Sequence, residues 1–295
     1  MVSTQTLIFG LVIGSYIGLA AIGFSLIHGL VNMFNIAHGE YMTIGAYLSF
    51  VLMNQLGLGL FVSLVLGIAA TSIAGLAIAK FFYQPLYETG PIPLLLTSIG
   101  LSFLLRNVIQ LGFGADNKYL EGGLTGVYRT DALGGFFLQY SQALVIALAL
   151  LTILLLHLLL TRTELGIAMR ATSNNETLAQ ITGVATIRIR DYVWLLASGT
   201  AGLSGILLAQ QRTLTPALGY NDILIILTAA ILGGAGNVYG AVAAGFFLGI
   251  VSATATSMLP SGMASLATSV IFFMLIVALI VKSHVIEGNR GVIAT

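Results

Sequence analysis

The sequence predicts an all-α protein, a polytopic α-helical membrane bundle with about eight or nine transmembrane segments, one or two of them discontinuous. Three observations predict it. Apolar side chains make up 58% of the 295 residues and charged ones only 7%, where an ordinary water-soluble domain carries about 25% charge. Apolar runs recur at the ~20-residue length that spans a ~30 Å hydrocarbon core. No ten-residue segments of alternating hydropathy appear, which excludes an outer-membrane barrel.

The runs fall in order near Leu7 to Leu30, Ile36 to Gln55, Leu60 to Phe82, Pro93 to Gly112 and Ala143 to Leu160, then Tyr192 to Ala209, a half-length piece from Ile223 to Leu232, Val238 to Met258 and Leu266 to Val281. The long polar connections, Ala115 to Gln142 and Arg162 to Asp191, are too short and too polar to enclose a core of their own. Residues 1–295 therefore read as one transmembrane domain. Gly supplies 35 residues, well above the usual ~7%, and lies inside apolar runs, where it permits close helix packing in lipid.

No Lys or Arg occurs in the first 79 residues, so the start lacks the positive region of a signal peptide, and the first helix is expected to stay. Cytoplasmic loops retain Lys and Arg. With Arg162 to Asp191 inside, its four arginines join Lys80, Lys282 and Arg290 against Lys118, Arg129 and Arg212 outside. That bias predicts an outside N-terminus and a cytoplasmic C-terminus.

Eleven Lys+Arg against ten Asp+Glu leave a net charge of +1, too little for the basic stripe that tracks a phosphate backbone, so no nucleic-acid partner is expected. Cysteine is absent. Disulfides, thiolate metal sites and thiol nucleophiles are excluded with it, and no cofactor is expected.

Three segments stand out. Asn32 to Tyr41 sets Asn35, His38, Gly39 and Glu40 directly before an apolar run, where unpaired polar groups in lipid are costly. Asn35 is a candidate N-cap for the helix that follows. A plain capped turn is one reading; a broken helix dipping into the membrane beside a permeation route is preferred. His38 and Glu40 have no helical metal-ligand spacing and no third ligand nearby, so no metal is expected.

The second segment is Leu232 to Gly240, where Gly233, Gly234 and Gly236 interrupt apolar sequence. Half-length helices broken by glycine in both halves of a membrane chain point to a transport site; small-residue packing is the plainer account. No strand precedes these glycines and no Lys-Ser/Thr follows, so the segment is not a nucleotide loop. Thr97, Ser98 and Thr228 offer small polar groups inside spans, unless they bond their own helix carbonyls. The translocation path is placed where the two discontinuities meet the helix beginning at Pro93.

The third segment, Arg162 to Val184, carries Arg170, Ala171, Glu176, Ala179 and Gly183. Ser173 with Glu176 reads as a capping box. Leu178, Ala179 and Ile181 give a short helix one apolar side before Gly183 ends it. A helix that docks a soluble partner is favoured over one folded on its own bundle.

Taken together, Asn35-Ile36-Ala37-His38-Gly39-Glu40 within Ser25 to Tyr47, Ala168-Met169-Arg170-Ala171 with Ala179 to Gly183, and Ala229-Ala230-Ile231-Leu232-Gly233-Gly234-Ala235-Gly236 within Thr228 to Gly249 resemble the permease subunits of prokaryotic ABC importers for branched-chain amino acids, specifically the shorter of the two paired permeases. Tyr83-Gln84-Pro85-Leu86 is similar to the family's Tyr-Arg-Pro segment, with Gln84 in place of the common basic residue. The resemblance implies a multi-pass protein of the prokaryotic plasma membrane. It also implies a second homologous permease subunit, two cytoplasmic ATP-binding subunits and an extracytoplasmic solute-binding protein as partners, with membrane lipid around the bundle. The loop from Arg170 to Gly183 is similar to the family's coupling loop. The chain itself would not be an enzyme.

Permeases for urea and short amides look much alike and remain the alternative within the class. An intramembrane enzyme or an ion-coupled carrier would need ionisable groups inside the spans. Arg106 and His157 sit near helix ends, and Glu40 is the one intramembrane carboxylate, so both rivals are disfavoured.

Overall fold

The computed structural model describes residues 4–121, 123–130 and 136–259, and beyond them only 269, 273, 276 and 277. Among the described residues, six helices are long and apolar enough to cross a membrane: α1 (Thr4–Val31), α3 (Leu60–Ile78, continued to Thr89 by π and 3-10 turns), α4 (Pro91–Phe113), α5 (Tyr140–Arg162), α8 (Thr186–Ala209) and α10 (Val238–Met258). The helices α2 (His38–Phe50) and α9 (Leu218–Leu232) are shorter. A π turn continues α2 to Gln55; at 1.5 Å per residue the two cover roughly 27 and 22 Å, less than the ~30 Å hydrocarbon core. The expected span from Leu266 to Val281 lies outside the described residues.

Local chemistry explains the breaks. Asn32 ends α1 in the left-handed region (φ 54°), a conformation that asparagine tolerates. Gly90 (φ 97°) precedes Pro91 at the first turn of α4, where proline's missing N–H is no loss. Two short helices, α6 (Glu164–Asn174) and α7 (Glu176–Ile181), fill the connection after α5. Thr163 caps α6 by accepting from the Gly166 N–H.

The capping box expected from Ser173 and Glu176 is not formed. Asn175 caps α7, its side chain accepting from the Leu178 N–H at 2.9 Å, and Ser173 instead donates to the carbonyl of Gly29 at the end of α1. The connection between α4 and α5 contains a two-stranded antiparallel hairpin, β1 (Val127–Thr130) with β2 (Phe136–Gln139). Its short strands carry no transmembrane pattern.

α1, α2 and α3 are matched by α8, α9 and α10 in opposite direction. α1 packs on α10 as α3 packs on α8, and α2 packs on α8 as α9 packs on α1. α1 ends and α8 begins at the end of the bundle that holds α6 and α7, where Ser173 meets Gly29 and Lys80 pairs with Asp191 at 3.1 Å. At the opposite end Asn54 donates to the Tyr119 carbonyl, and Lys118 bridges Leu214. Such reciprocal packing is the contact pattern of an inverted repeat.

Extended backbone precedes both short helices. Residues 32–37 run back along α1, so that His38 meets the carbonyl of Ala20. Residues 210–217 turn inward from the other end before α9. Glycines let the inner elements touch: a Cβ on Gly45 would stand 2.5 Å from the Cα of Gly202, so α2 lies against α8 at backbone contact.

Candidate functional site

The site is the place where α2 and α9 begin. A Cβ on Gly39 would stand 2.5 Å from the carbonyl oxygen of Gly219, so the first turns of the two short helices touch through bare backbone. Thr43 of α2 accepts from the Gly219 N–H at 3.0 Å, satisfying one of the donors that a helix start leaves open. From this junction the helices diverge toward opposite ends of the bundle.

Asn35, His38 and Glu40 surround the junction and are fully buried. Asn35 does not cap α2: Ala37 occupies the cap position with no side-chain bond, because the Asn35 side chain is turned away to accept from the Tyr83 hydroxyl at 3.0 Å. Tyr83 stacks on Trp194 with centroids 4.9 Å apart, and the Trp194 indole N–H donates to the Tyr87 hydroxyl at 2.7 Å. His38 Nε2 bonds the Ala20 carbonyl at 2.9 Å, while Nδ1 finds no partner among the described residues.

Glu40 accepts from Ser102 at 2.9 Å through one carboxyl oxygen; the other is buried without a partner among the described residues. Arg106 lies one turn beyond Ser102 on α4, its guanidinium 3.9 Å over the Tyr220 ring, and its charge reaches Glu40. A buried carboxylate with a single hydrogen bond is costly unless an opposite charge compensates it. Arg106 is half-buried and forms no ion pair with Glu40 among the described residues, so the carboxyl group rests on the Ser102 bond.

The expected hydroxyls divide. Ser98 bridges the extended segment, accepting from the Ile36 N–H at 3.1 Å while facing the carbonyls of Phe34 and Leu95. Thr228 bonds the Leu224 carbonyl of its own helix, and Thr97 is half-buried on α4 beside Ser98.

The second discontinuity is not where the glycines suggested. Gly233, Gly234 and Gly236 form the turn between α9 and α10, with Gly234 and Gly236 at φ 97° and 85°. Gly233 packs on Gly240 within that turn, and Gly236 lies against Gly29. The turn borders a depression with Asn32, Ser173 and Glu176 at the α6–α7 end, away from His38 and Glu40. The break that meets α2 is the stretch 210–217 ahead of α9, which the apolar run concealed by resuming only at Ile223. Gly219, Ser102 and Trp194 do not enter the sequence reading, and Tyr83 enters it only through its resemblance segment. The available signal was a polar stretch with Pro216 and Gly219 that repeats, 180 residues later, the arrangement before Gly39.

In the connection, Arg170 donates to the Leu160 carbonyl, Glu176 pairs with Arg190 at 3.0 Å, and Ala179 is buried. Ala171 is half-buried, and Gly183 closes α7 at φ 90°. The exposed apolar groups are Ile167, Leu178, Ile181 and Ile187, of which only Leu178 and Ile181 were anticipated. Gln84, where a basic residue is common, donates to Asp191 at 3.0 Å.

Comparison with known proteins places this geometry. A family model described as "Branched-chain amino acid transport system / permease component" matches residues 6–279. The high-affinity branched-chain amino acid transport system permease protein BraD of Pseudomonas aeruginosa is 30% identical, covering 84% of this chain and 85% of its own length. The corresponding protein LivH of Escherichia coli K12 is 28% identical, over 98% and 96%. An autoinducer 2 import system permease, LsrC of Salmonella paratyphi B, is 32% identical over 63% of this chain and 54% of its own. Among solved structures, PsaBC from Streptococcus pneumoniae in complex with Fab shares the fold, with a TM-score of 0.51 and 15% identity over 94% of this chain and 89% of that one. A match along nearly the whole chain, with helices suited to a bilayer, makes this a multi-pass ABC transporter permease that belongs to the branched-chain amino acid transport system permease family.

Proposed function

We propose that the chain is the transmembrane permease subunit of an ATP-driven importer that moves branched-chain or related hydrophobic amino acids delivered by an external solute-binding protein. The observation that carries the path is the meeting of two shortened helices at Gly39 and Gly219. Their open first turns present backbone N–H groups and a positive dipole end, with Asn35, His38, Glu40 and Ser98 beside them. A zwitterion crossing hydrocarbon needs brief hydrogen bonds and no deep well, which small polar groups and bare glycine backbone suit. Thr97 and Thr228 border this route, and the Gly233, Gly234 and Gly236 turn lies beyond it, at the α6–α7 end.

The α6–α7 end is assigned to the cytoplasm. It gathers Lys80, Arg162, Arg170, Arg188 and Arg190, against Lys118, Arg129 and Arg212 at the other end, which follows the positive-inside bias. In this reading the exposed Leu178 and Ile181 of α7, framed by Arg170, Ala171, Glu176, Ala179 and Gly183, dock one of two ATP-binding subunits. A second, homologous permease completes the path. Reconstitution of the chain with these subunits and the binding protein in proteoliposomes tests the assignment: ATP-dependent uptake of leucine and not of urea supports it, and uptake of urea without leucine overturns it.

A further inference from the structure

Away from the α2–α9 junction, at the end that holds α6 and α7, a cavity of about 590 Å3 lies between the last turns of α5 and the first turn of α10. Both helices pack on α1, whose Leu26 and Leu30 line the cavity together with Leu160 and Val193. Its volume falls in the range of small-molecule sites, about 300–1,000 Å3. His157 of α5 bonds the Tyr239 hydroxyl of α10 at 3.0 Å, and both residues are exposed. Exposed tyrosines at the ends of spanning helices sit at headgroup level, so this cleft lies at the boundary between hydrocarbon and headgroups.

Among the described residues, Arg170 is the one charged group that lines the cavity. It donates to the Leu160 carbonyl and forms no ion pair among the described residues, where Glu176 is taken by Arg190 and Asp191 by Lys80. A guanidinium has five donors, and this side chain is exposed, so Arg170 keeps N–H groups for a ligand. Asn237, also exposed, lines the same cleft. Its Oδ1 accepts from the Gly240 N–H at 3.1 Å, which leaves the amide NH2 to donate. The cleft is therefore apolar at depth and cationic at its rim. Basic pockets of this kind between spanning helices, on the cytoplasmic side, suit anionic lipid headgroups.

We infer that this cavity binds an anionic phospholipid of the cytoplasmic leaflet, its phosphate accepting from Arg170 and Asn237 and one acyl chain lying along Leu26, Leu30, Leu160 and Val193. A zwitterionic lipid meets the same apolar lining but brings no net charge to offset Arg170. Because Arg170 belongs to α6, the bound headgroup holds the connection between α5 and the docking helix α7 against the membrane surface. The choice of leaflet rests on the cytoplasmic assignment of this end; the choice of an anionic headgroup rests on the cavity itself.

The test is native mass spectrometry of the complete transporter in detergent, titrated with dioleoyl phosphatidylglycerol or dioleoyl phosphatidylcholine. Phosphatidylglycerol should bind about fivefold more tightly, and Arg170→Gln should remove that advantage, as expected for one arginine at an anionic surface. Thr161, exposed and lining the cleft, offers a second variant: Thr161→Trp should fill the mouth and remove one bound phosphatidylglycerol per permease. Leu158→Trp, at a position exposed on the same helix and outside the cavity, should remove none. sn-Glycerol 1-phosphate, the headgroup without its chains, should not displace the lipid. Equal binding of phosphatidylcholine, retention of the lipid in Thr161→Trp, an equal loss in Leu158→Trp, or displacement by glycerol phosphate overturns the site. Should Arg170→Gln fail to assemble, the Thr161→Trp and Leu158→Trp pair decides it. Leucine uptake does not enter the readout, so loss of the lipid site leaves the import reading standing.

Discussion

The Gly219 carbonyl faces Gly39 so closely that a Cβ at position 39 would stand 2.5 Å from its oxygen. Neither residue tolerates a side chain, since the opposing atoms are backbone and cannot rotate away. Gly39→Ala should therefore lower the stability of the purified permease by roughly 1–3 kcal/mol, the ordinary cost of overpacking, and Gly39→Leu should reduce its membrane abundance sharply. Thermal unfolding in detergent and quantitative immunoblotting measure the two effects. A Gly39→Leu variant of normal abundance would show that the helices part here easily.

Glu40 keeps one carboxyl oxygen on Ser102 and leaves the other unpaired. Glu40→Gln preserves the accepting oxygen and most of the shape, so abundance should hold while ATP-driven leucine uptake falls about tenfold. Ser102→Ala should cost less, roughly 1 kcal/mol of stability, with uptake within a few-fold of normal. Uptake curves in proteoliposomes separate the two, and a Glu40→Gln variant with normal uptake removes Glu40 from the path.

Leu178 and Ile181 are 57% and 77% exposed on α7, beyond the bundle, where an isolated apolar pair has nothing of its own to cover. Ile181→Asp and Leu178→Glu should leave the unfolding temperature of the isolated permease unchanged and reduce substrate-stimulated ATP hydrolysis by the assembled transporter at least tenfold. Wild-type hydrolysis in both would place the docking contact elsewhere on the connection.

Trp194, the single tryptophan of the chain, stacks on Tyr83 and donates to Tyr87. Tyr87→Phe removes the acceptor and leaves a buried indole N–H unpaired, which should destabilise the protein by about 1–3 kcal/mol. Because no second tryptophan contributes, its fluorescence reports the change directly. An unaltered unfolding midpoint and emission spectrum would contradict the hydrogen bond.

Cysteine is absent from the sequence, so single cysteines report topology without background. Glu121→Cys should react with an impermeant maleimide added to intact cells, and Thr177→Cys only after the membrane is opened. The reverse pattern would invert the orientation assigned to the bundle.

Much of the architecture was legible in the chain because hydropathy and length act locally. A run such as Tyr140–Arg162 in lipid has to be a helix, since every backbone group must be satisfied within it. The polar block at Asn35 to Glu40 announced a broken element for the same reason. The role of Asn35 was misread because capping was judged from neighbours in sequence, whereas its side chain is claimed by Tyr83, 48 residues away. Ser173 was misassigned likewise, being drawn to the Gly29 carbonyl 144 residues distant.

Composition and periodicity by themselves determined that the protein is a membrane bundle of helices, that the polar block before the second run is out of the ordinary, and that a connection with a short amphipathic helix follows the fifth run. Only the tertiary structure decided which second break the helix from His38 meets. Glycines at Gly233 to Gly240 and at Gly219 are indistinguishable by local propensity, and the difference lies in what approaches them. Gly233 closes on Gly240 within its own turn, while Gly219 receives the backbone of Gly39 from an oppositely directed repeat. A close approach between segments 180 residues apart is a property of packing, and no window of the sequence contains it.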